Sequence, residues 1–413
     1  MREGWKSEIL KDCCNVFTDG NWIESKDQST EGIRLVQTGN IGFGFFKDKE
    51  DKARYISEDT FKRLKCTEIL AGDLLVSRLP DPVGKSCIIP DLDTKMITGV
   101  DCTIIRPKEY LSSEYLGYFQ QSDEYLRNVL SKVSGTTRSR ISRKNLGIIK
   151  IPIPPLSEQK QIVEILDEAF TGIDQAKANI EKNILNAKEL FQSKLNEIFS
   201  QKGDGWEKKN IEEISTVVNG YSFKSKDFSS DNEVKSIKIT NVGIMEFVED
   251  SSNNLPAAFL HEHSKVKVHE GDLVLALTRT IISGGLKVAR VPESYHNSLL
   301  NQRVAAIVPK TDFVDRDYLY YYFSSDIVYN YVLDNVNTLM QPNLSIGDLK
   351  KMPVPITSIE GQRKISVQIE NLSEKTNLLI SNYGVKLNDL EKLKKSILQK
   401  AFAGELTNKM AEV

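Results

Sequence analysis

The sequence predicts an α+β protein: two strand-rich globular domains in tandem repeat, joined by two long, antiparallel, coiled-coil-like helices. Three observations carry this. Apolar residues recur at steps of three or four over two stretches of more than forty residues each. Ordered landmarks repeat at an offset near 200 residues. Between the long stretches, apolar residues come in short runs separated by Gly, Asp, Asn and Pro.

The first long stretch, 157–200, places Ile162, Leu166, Ala169, Ile173, Ala176, Ile180, Ile184, Ala187, Phe191, Leu195 and Ile198 on one side of a helix. The second, 358–413, does the same with Ile365, Ile369, Leu372, Leu379, Tyr383, Leu390, Ile397 and Ala401. Neither stripe can bury itself, so the two are expected to pack on each other as a spacer. Ser157, just after a proline-bounded segment, is the expected N-cap of the first helix.

The repeat follows from superposing 1–200 on 202–404. Gly4-Trp5 recurs as Gly205-Trp206, Asn40-Ile41-Gly42 as Asn241-Val242-Gly243, and GDLLVSR (72–78) as GDLVLALTR (271–279). Tyr115-Leu116 answers Tyr318-Leu319, Pro152-Ile153-Pro154 answers Pro353-Val354-Pro355, and Gln159 answers Gln362. The expected division is 1–156, 157–200, 201–357 and 358–413. Strands are expected at runs such as Ile33–Val36, Leu74–Val76, Thr103–Ile105, Ile237–Ile239, Leu273–Leu277 and Val304–Val308. One aromatic-rich helix is expected at Tyr115–Val129 and another at Tyr318–Leu333.

A net charge of -2 argues against binding nucleic acid by bulk electrostatics, so such binding needs local basic patches or a partner. The five cysteines form no CxxC pair and read as reduced, partly buried thiols. No run of eighteen apolar residues occurs and the first residues lack a signal-peptide core, which points to the cytoplasm and away from a membrane.

Three fragments imitate chemistry. Gly84-Lys85-Ser86 resembles a P-loop tail, but Leu79 stands where its first glycine belongs. Asp91 and Asp93 are too close in sequence to come from different strands, as two-metal sites require. His261, His263 and His269 with Glu262 lack a fourth ligand and read as loop histidines. No metal site and no catalytic centre is expected.

Nucleic-acid binding has better support. Between Lys132 and Lys150 lie six cations, Arg138, Arg140, Arg143 and Lys144 among them, and no acid; Gly135, Thr136, Thr137, Ser139 and Ser142 are interspersed. Arginines grip phosphates or guanine edges, and hydroxyls beside a glycine suit close backbone approach. The matching stretch of the second repeat keeps Gln341 and Asn343, side-chain types that pair with adenine. Arg78 and Lys85 in the first repeat, and Arg279, Lys287 and Arg303 in the second, flank expected strand ends and complete the candidate DNA-binding set.

The joint IPIPPLSEQKQIVEILDEAF resembles the central conserved region of the specificity (S) subunits of type I restriction-modification systems. MPVPITSIEGQRKISVQIE resembles it with Gly361 in place of the Glu, and LEKLKKSILQKAFAGEL resembles the family's C-terminal conserved region. The resemblance implies that each globular region is a target-recognition domain reading one half of a bipartite, asymmetric double-stranded DNA target. It implies that the helix pair sets the spacer and docks two modification (methyltransferase) subunits using S-adenosylmethionine. Two restriction subunits would add ATP- and Mg-dependent translocation and cleavage, while the S chain itself carries no catalysis and no cofactor. The alternatives are a solitary DNA-binding regulator and an enzyme fusing recognition to cleavage.

Overall fold

The computed structural model describes residues 2, 4–135, 138–201, 204–250, 252–336 and 343–407. The chain divides into two compact units, 1–180 with 384–413 and 181–383. Both long helices therefore contribute to each unit.

In the first unit the strands are β1 (Lys6–Ile9), β2 (Cys14–Asp19), β3 (Ile33–Val36), β4 (Arg54–Ile56), β5 (Leu74–Ser77), β6 (Ser86–Ile88), β7 (Met96–Thr98), β8 (Cys102–Pro107) and β9 (Lys150–Ile153). Its helices are α1 (Glu58–Leu64), α2 (Ser113–Phe119), α3 (Asp123–Leu130) and α4 (Arg143–Gly147), followed by the start of α5 (Leu156–Phe199). An antiparallel sheet runs β2-β8-β5-β6, a second sheet runs β4-β3-β7 with β3 and β7 parallel, and β1 pairs with β9.

The second unit holds β10 (Glu207–Asn210), β11 (Ser215–Asn219), β12 (Val234–Ile237), β13 (Asn254–Leu255), β14 (Lys267–Val268), β15 (Leu273–Ala276), β16 (Ile281–Ile282), β17 (Gly285–Leu286), β18 (Val288–Arg290), β19 (Ser298–Leu300), β20 (Val304–Pro309) and β21 (Pro353–Ile356). Its helices are α6 (Ile211–Ile214), α7 (Phe259–Glu262), α8 (Arg316–Phe323), α9 (Asp326–Asn335), α10 (Ile346–Lys351) and the start of α11 (Ile359–Ala403). The order β11-β20-β15-β18 repeats the first sheet, and the parallel β12-β19 pair repeats β3-β7. The hairpin β16-β17 belongs to the second unit alone among the described residues.

The repeated landmarks have specific work. Asn40 and Asn241 build matched turns: their side-chain oxygens accept the N–H of Gln37 (3.0 Å) and Lys238 (2.8 Å), and their amides donate to Lys47 and Val248 carbonyls. This turn ends β12 at Ile237, earlier than the Ile237–Ile239 run suggests, because the Lys238 N–H is taken by Asn241. The expected single aromatic helices are each broken in two, α2 with α3 and α8 with α9. Ser122 and Ser325 make the breaks by donating to the carbonyls of Phe119 and Tyr322, and Ser122 also caps the Tyr125 N–H.

Gln159 and Gln362 are fully buried and fully satisfied. Gln159 accepts from the Ser112 N–H (2.8 Å) and donates to the carbonyls of Tyr110 and Pro154 (both 2.9 Å). Gln362 repeats this with Asp315, Phe313 and Thr357. Each glutamine thereby ties the first turn of a long helix to the loop before the aromatic helices. Ser157 is not the cap of α5: the helix starts one residue earlier, on the Pro155 carbonyl, which accepts the N–H groups of Glu158 and Gln159. In α11, Ser358 does cap, accepting from the Gly361 N–H at 3.1 Å. Glu158 instead accepts from Arg2, the Trp5 indole (3.2 Å) and Thr407.

Along α5 the residues Ile162, Leu166 and Ile173 are buried, and Ala169 and Ile180 half-buried. In the first unit α5 and α11 run antiparallel, since Lys177 pairs with Glu391 and Asp174 with Lys394. Phe402 of α11 inserts between Tyr115 and Phe119 (ring centroids 5.4 and 5.3 Å apart), and in the second unit Phe199 of α5 meets Tyr318 and Tyr322 at 5.2 Å. Such edge-to-face pairs add about 0.5–1.5 kcal/mol each beyond burial. On α11, Ile369 is buried and Ile365, Leu372, Tyr383 and Leu390 are half-buried. Leu379 departs from the expected stripe, being 41% exposed. The seam there passes through Thr376 and Ile380, eleven residues over three turns from Leu372 to Tyr383, a longer period than a heptad seam.

Candidate nucleic-acid interface

The basic segment of the first unit is a loop between α3 and α4. Ser134 and Arg140 exchange two backbone hydrogen bonds of 2.9 Å, with Gly135 at φ +111°, which pins the base of the loop. Thr136 and Thr137 lie outside the described residues. Arg138, Ser139, Arg143 and Lys144 are exposed, and Arg140 is half-buried against Asp101 at 3.2 Å. The Arg143 guanidinium, at the start of α4, reaches the Thr18 hydroxyl at 3.3 Å, so the start of α4 and β2 form one surface.

Arg78 belongs to the scaffold instead of that surface. It is 4% exposed, with its guanidinium donating to the Val100 and Ile141 carbonyls and pairing with Asp19 at 3.2 Å. Burial lowers its pKa, only partly offset by Asp19. Its backbone donates to the Asp101 carbonyl and accepts from the Ile141 N–H, holding the base of the basic loop. Lys85 is half-buried, its ammonium on the Asp81 carbonyl at 3.0 Å.

The backbone pattern also corrects the sequence pairing of Arg78 with Arg279. Leu277 donates to Arg303 and accepts from Leu344, the same two bonds Arg78 makes with Asp101 and Ile141. Structurally, Arg78 matches Leu277, whereas Arg279 stands two residues further out, exposed at φ +51°. Arg303 and Asn343 are exposed beside it, Asn343 bridging to Thr278. Lys287 is half-buried, donating to the Ile239 carbonyl at 2.5 Å, and burial lowers its pKa, with Arg279 adding to the shift. Gln341 lies outside the described residues. The structure thus brings Arg279, Arg303 and Asn343 together at the end of β15, and Arg138, Arg140, Arg143 and Lys144 together beside β2.

Two features escaped the sequence. Trp22 is 71% exposed, and with Gln37, Thr38 and Asp101 it lines a hollow of about 210 Å³ next to Arg140. At the matching edge of the second unit Tyr221 lies over His263, ring centroids 4.2 Å apart. A tryptophan in the polar run DGNWIES was the available signal, since an indole outside an apolar pattern has little to bury it. His263 itself is half-buried among Tyr221, Phe223 and Phe259. Among the described residues no group of His, Cys, Asp and Glu could hold a metal ion.

The family model described as "Type I restriction modification DNA specificity domain" matches this chain twice, over residues 2–186 and 203–388. The chain belongs to that family. It is a DNA-specificity chain, not a catalytic one. The EcoKI specificity subunit of Escherichia coli K12 is 27% identical over 91% of this chain and 82% of its own length. The MjaVIII specificity subunit of Methanocaldococcus jannaschii is 27% identical over 67% of this chain, a match spanning 66% of that relative. Two solved structures share the fold over 98% of the chain. One, from work on complex assembly and conformational transition of a type I R-M system, has a TM-score of 0.76 at 17% identity over 99% of its length. The other, the HsdS subunit of Thermoanaerobacter tengcongensis, has a TM-score of 0.62 at 18% identity over 98% of its length. No described helix is long and apolar enough to cross a membrane.

Proposed function

We propose that this chain selects the DNA target of a cytoplasmic type I restriction-modification complex, each repeat reading one half of a bipartite, asymmetric double-stranded sequence. The observation that carries this is the duplication itself: two specificity domains in one chain, each with its own exposed polar and basic edge. Residues 1–156 and 201–357 are the two recognition domains, and the helices of 157–200 and 358–413 form the spacer. In the first domain Arg138, Ser139, Arg140, Arg143 and Lys144, with Thr136 and Thr137, face DNA; in the second Arg279, Arg303, Asn343 and Gln341 do so. Lys287 and Lys85 support these edges.

The helix pair docks two modification subunits, which hold S-adenosylmethionine, and two restriction subunits supply ATP- and Mg-dependent steps. The modest charge of this chain fits that division, because partners complete the positive clamp on DNA. The test is co-expression with the modification subunit and genome-wide mapping of modified adenines. A gapped, asymmetric motif that vanishes on deletion of this chain is expected. A soluble complex with no such methylation would move the reading to a solitary DNA-binding protein.

A further inference from the structure

The two units differ at one matched place. In the second unit the Tyr320 side chain fills a slot between α8 and the turn after β12: its hydroxyl donates to the Met245 carbonyl at 2.8 Å. The Arg290 guanidinium stands 4.1 Å from the Tyr320 ring centroid and pairs with Asp317 at 2.8 Å. The repeat places Gly117, Gly44, Ile88 and Glu114 at the positions of Tyr320, Met245, Arg290 and Asp317. Gly117 follows Tyr115-Leu116 as Tyr320 follows Tyr318-Leu319, and Ile88 pairs with Leu74 as Arg290 pairs with Leu273.

The first unit therefore lacks the tyrosine and the arginine beside it; Gln121 packs against Gly44, and Lys394 stands 4.4 Å from the Phe170 ring centroid at the groove's far wall. An open groove of about 370 Å³ stands there, walled by Phe45, Ile88 and Phe170 and rimmed by Glu114, Asp167 and Asp174. Asp174 pairs with Lys394 at 3.6 Å and Asp167 accepts from Tyr118, while no cation pairs with Glu114 among the described residues. Phe45 is 56% exposed.

We propose that this groove is a socket for a partner protein segment that inserts an aromatic side chain flanked by an arginine or lysine. The partner supplies in trans what Tyr320 and Arg290 supply within the second unit: a ring against Phe45, Ile88 and Phe170, and a cation for Glu114. The second unit is the template for the fit, and the rim, three carboxylates against one lysine, sets the sign of the charge. The inference rests on the proposed function, which makes the partner the modification subunit. It gives the two units unequal docking surfaces, with an aromatic anchor of the kind that dominates interfaces at the first alone.

The experiment measures the affinity of the modification subunit for the full chain. Gly117→Tyr with Ile88→Arg installs the second unit's plug; a Cβ at Gly117 meets Ile88 and Leu74 at 3.4 Å, ordinary contact, and circular dichroism and melting check that the variant is folded. Phe45→Ser and Glu114→Lys change exposed side chains and leave the core intact. A weakening of at least about tenfold by the plug and by Phe45→Ser, and a smaller loss with Glu114→Lys, is expected for a buried aromatic anchor beside a charge pair. Unchanged affinity in folded Phe45→Ser and Glu114→Lys overturns the socket while leaving the proposed function standing. Loss of self-association in place of modification-subunit binding also overturns it, identifying a second copy as the occupant. A wild-type chain that binds no modification subunit overturns both.

Discussion

Replacing the fully buried Gln159 by leucine strips three hydrogen bonds and puts no polar group in their place. The Ser112 N–H loses its acceptor and the carbonyls of Tyr110 and Pro154 lose a donor, each bond being 2.8–2.9 Å long. An orphaned buried donor costs about 1–3 kcal/mol and an under-satisfied carbonyl somewhat less, giving about 3–5 kcal/mol in all. For a unit of this size each kcal/mol moves Tm by about 2–4 °C, so a fall of roughly 6–20 °C is expected by calorimetry. Gln362→Leu is an internal twin, since Asp315, Phe313 and Thr357 repeat the same three bonds. Gln159→Glu keeps the acceptor for Ser112 but turns a carboxylate toward two carbonyls, which raises its folded pKa. A raised folded pKa favours stability below the unfolded value, so this variant recovers as pH falls and weakens as pH rises through the folded pKa. A Gln159→Leu protein melting within about 2 °C of wild type refutes the staple, because even one lost bond predicts more.

Other consequences are open to measurement. Deleting seven residues from each long helix removes about 10 Å of rod. Under the proposed function the mapped motif then keeps both half-sites and loses about three base pairs of spacer at 3.4 Å each; an unaltered spacer contradicts the rod's role. Arg138→Ala with Arg140→Ala is expected to relax or weaken the first half-site alone, by about 1–3 kcal/mol per true base contact. An equal loss on DNA lacking that half-site identifies phosphate contacts. Burial pushes the thiols up, Cys13 to about 11 and Cys14, Cys87 and Cys102 to about 12, and raises Cys66. Native protein at pH 8 should therefore resist a thiol reagent, while denatured protein titrates all five; rapid labelling of the native chain would show an open thiolate.

Sequence by itself determined the architecture. Helical periodicity over long stretches and ordered landmarks at one offset are properties of a one-dimensional string, so the two rods, the duplication and the strand-rich globes were legible without coordinates. Short-range competition was less so: Ser122 and Ser325 split helices that their aromatic pattern made look continuous, because a serine hydroxyl can cap as well as ride a helix. Only tertiary structure decided which cations are free. Arg78 and Arg279 occupy similar strings, yet one is sealed under the Val100 and Ile141 carbonyls and the other stands in solvent, because the loop after β15 carries two more residues before its arginine. Likewise nothing in the string Tyr-Leu-Gly-Tyr announces a groove. That an absent side chain at Gly117 leaves a socket follows from what Tyr320 fills at the matched place, and burial depends on neighbours that only the folded chain brings together.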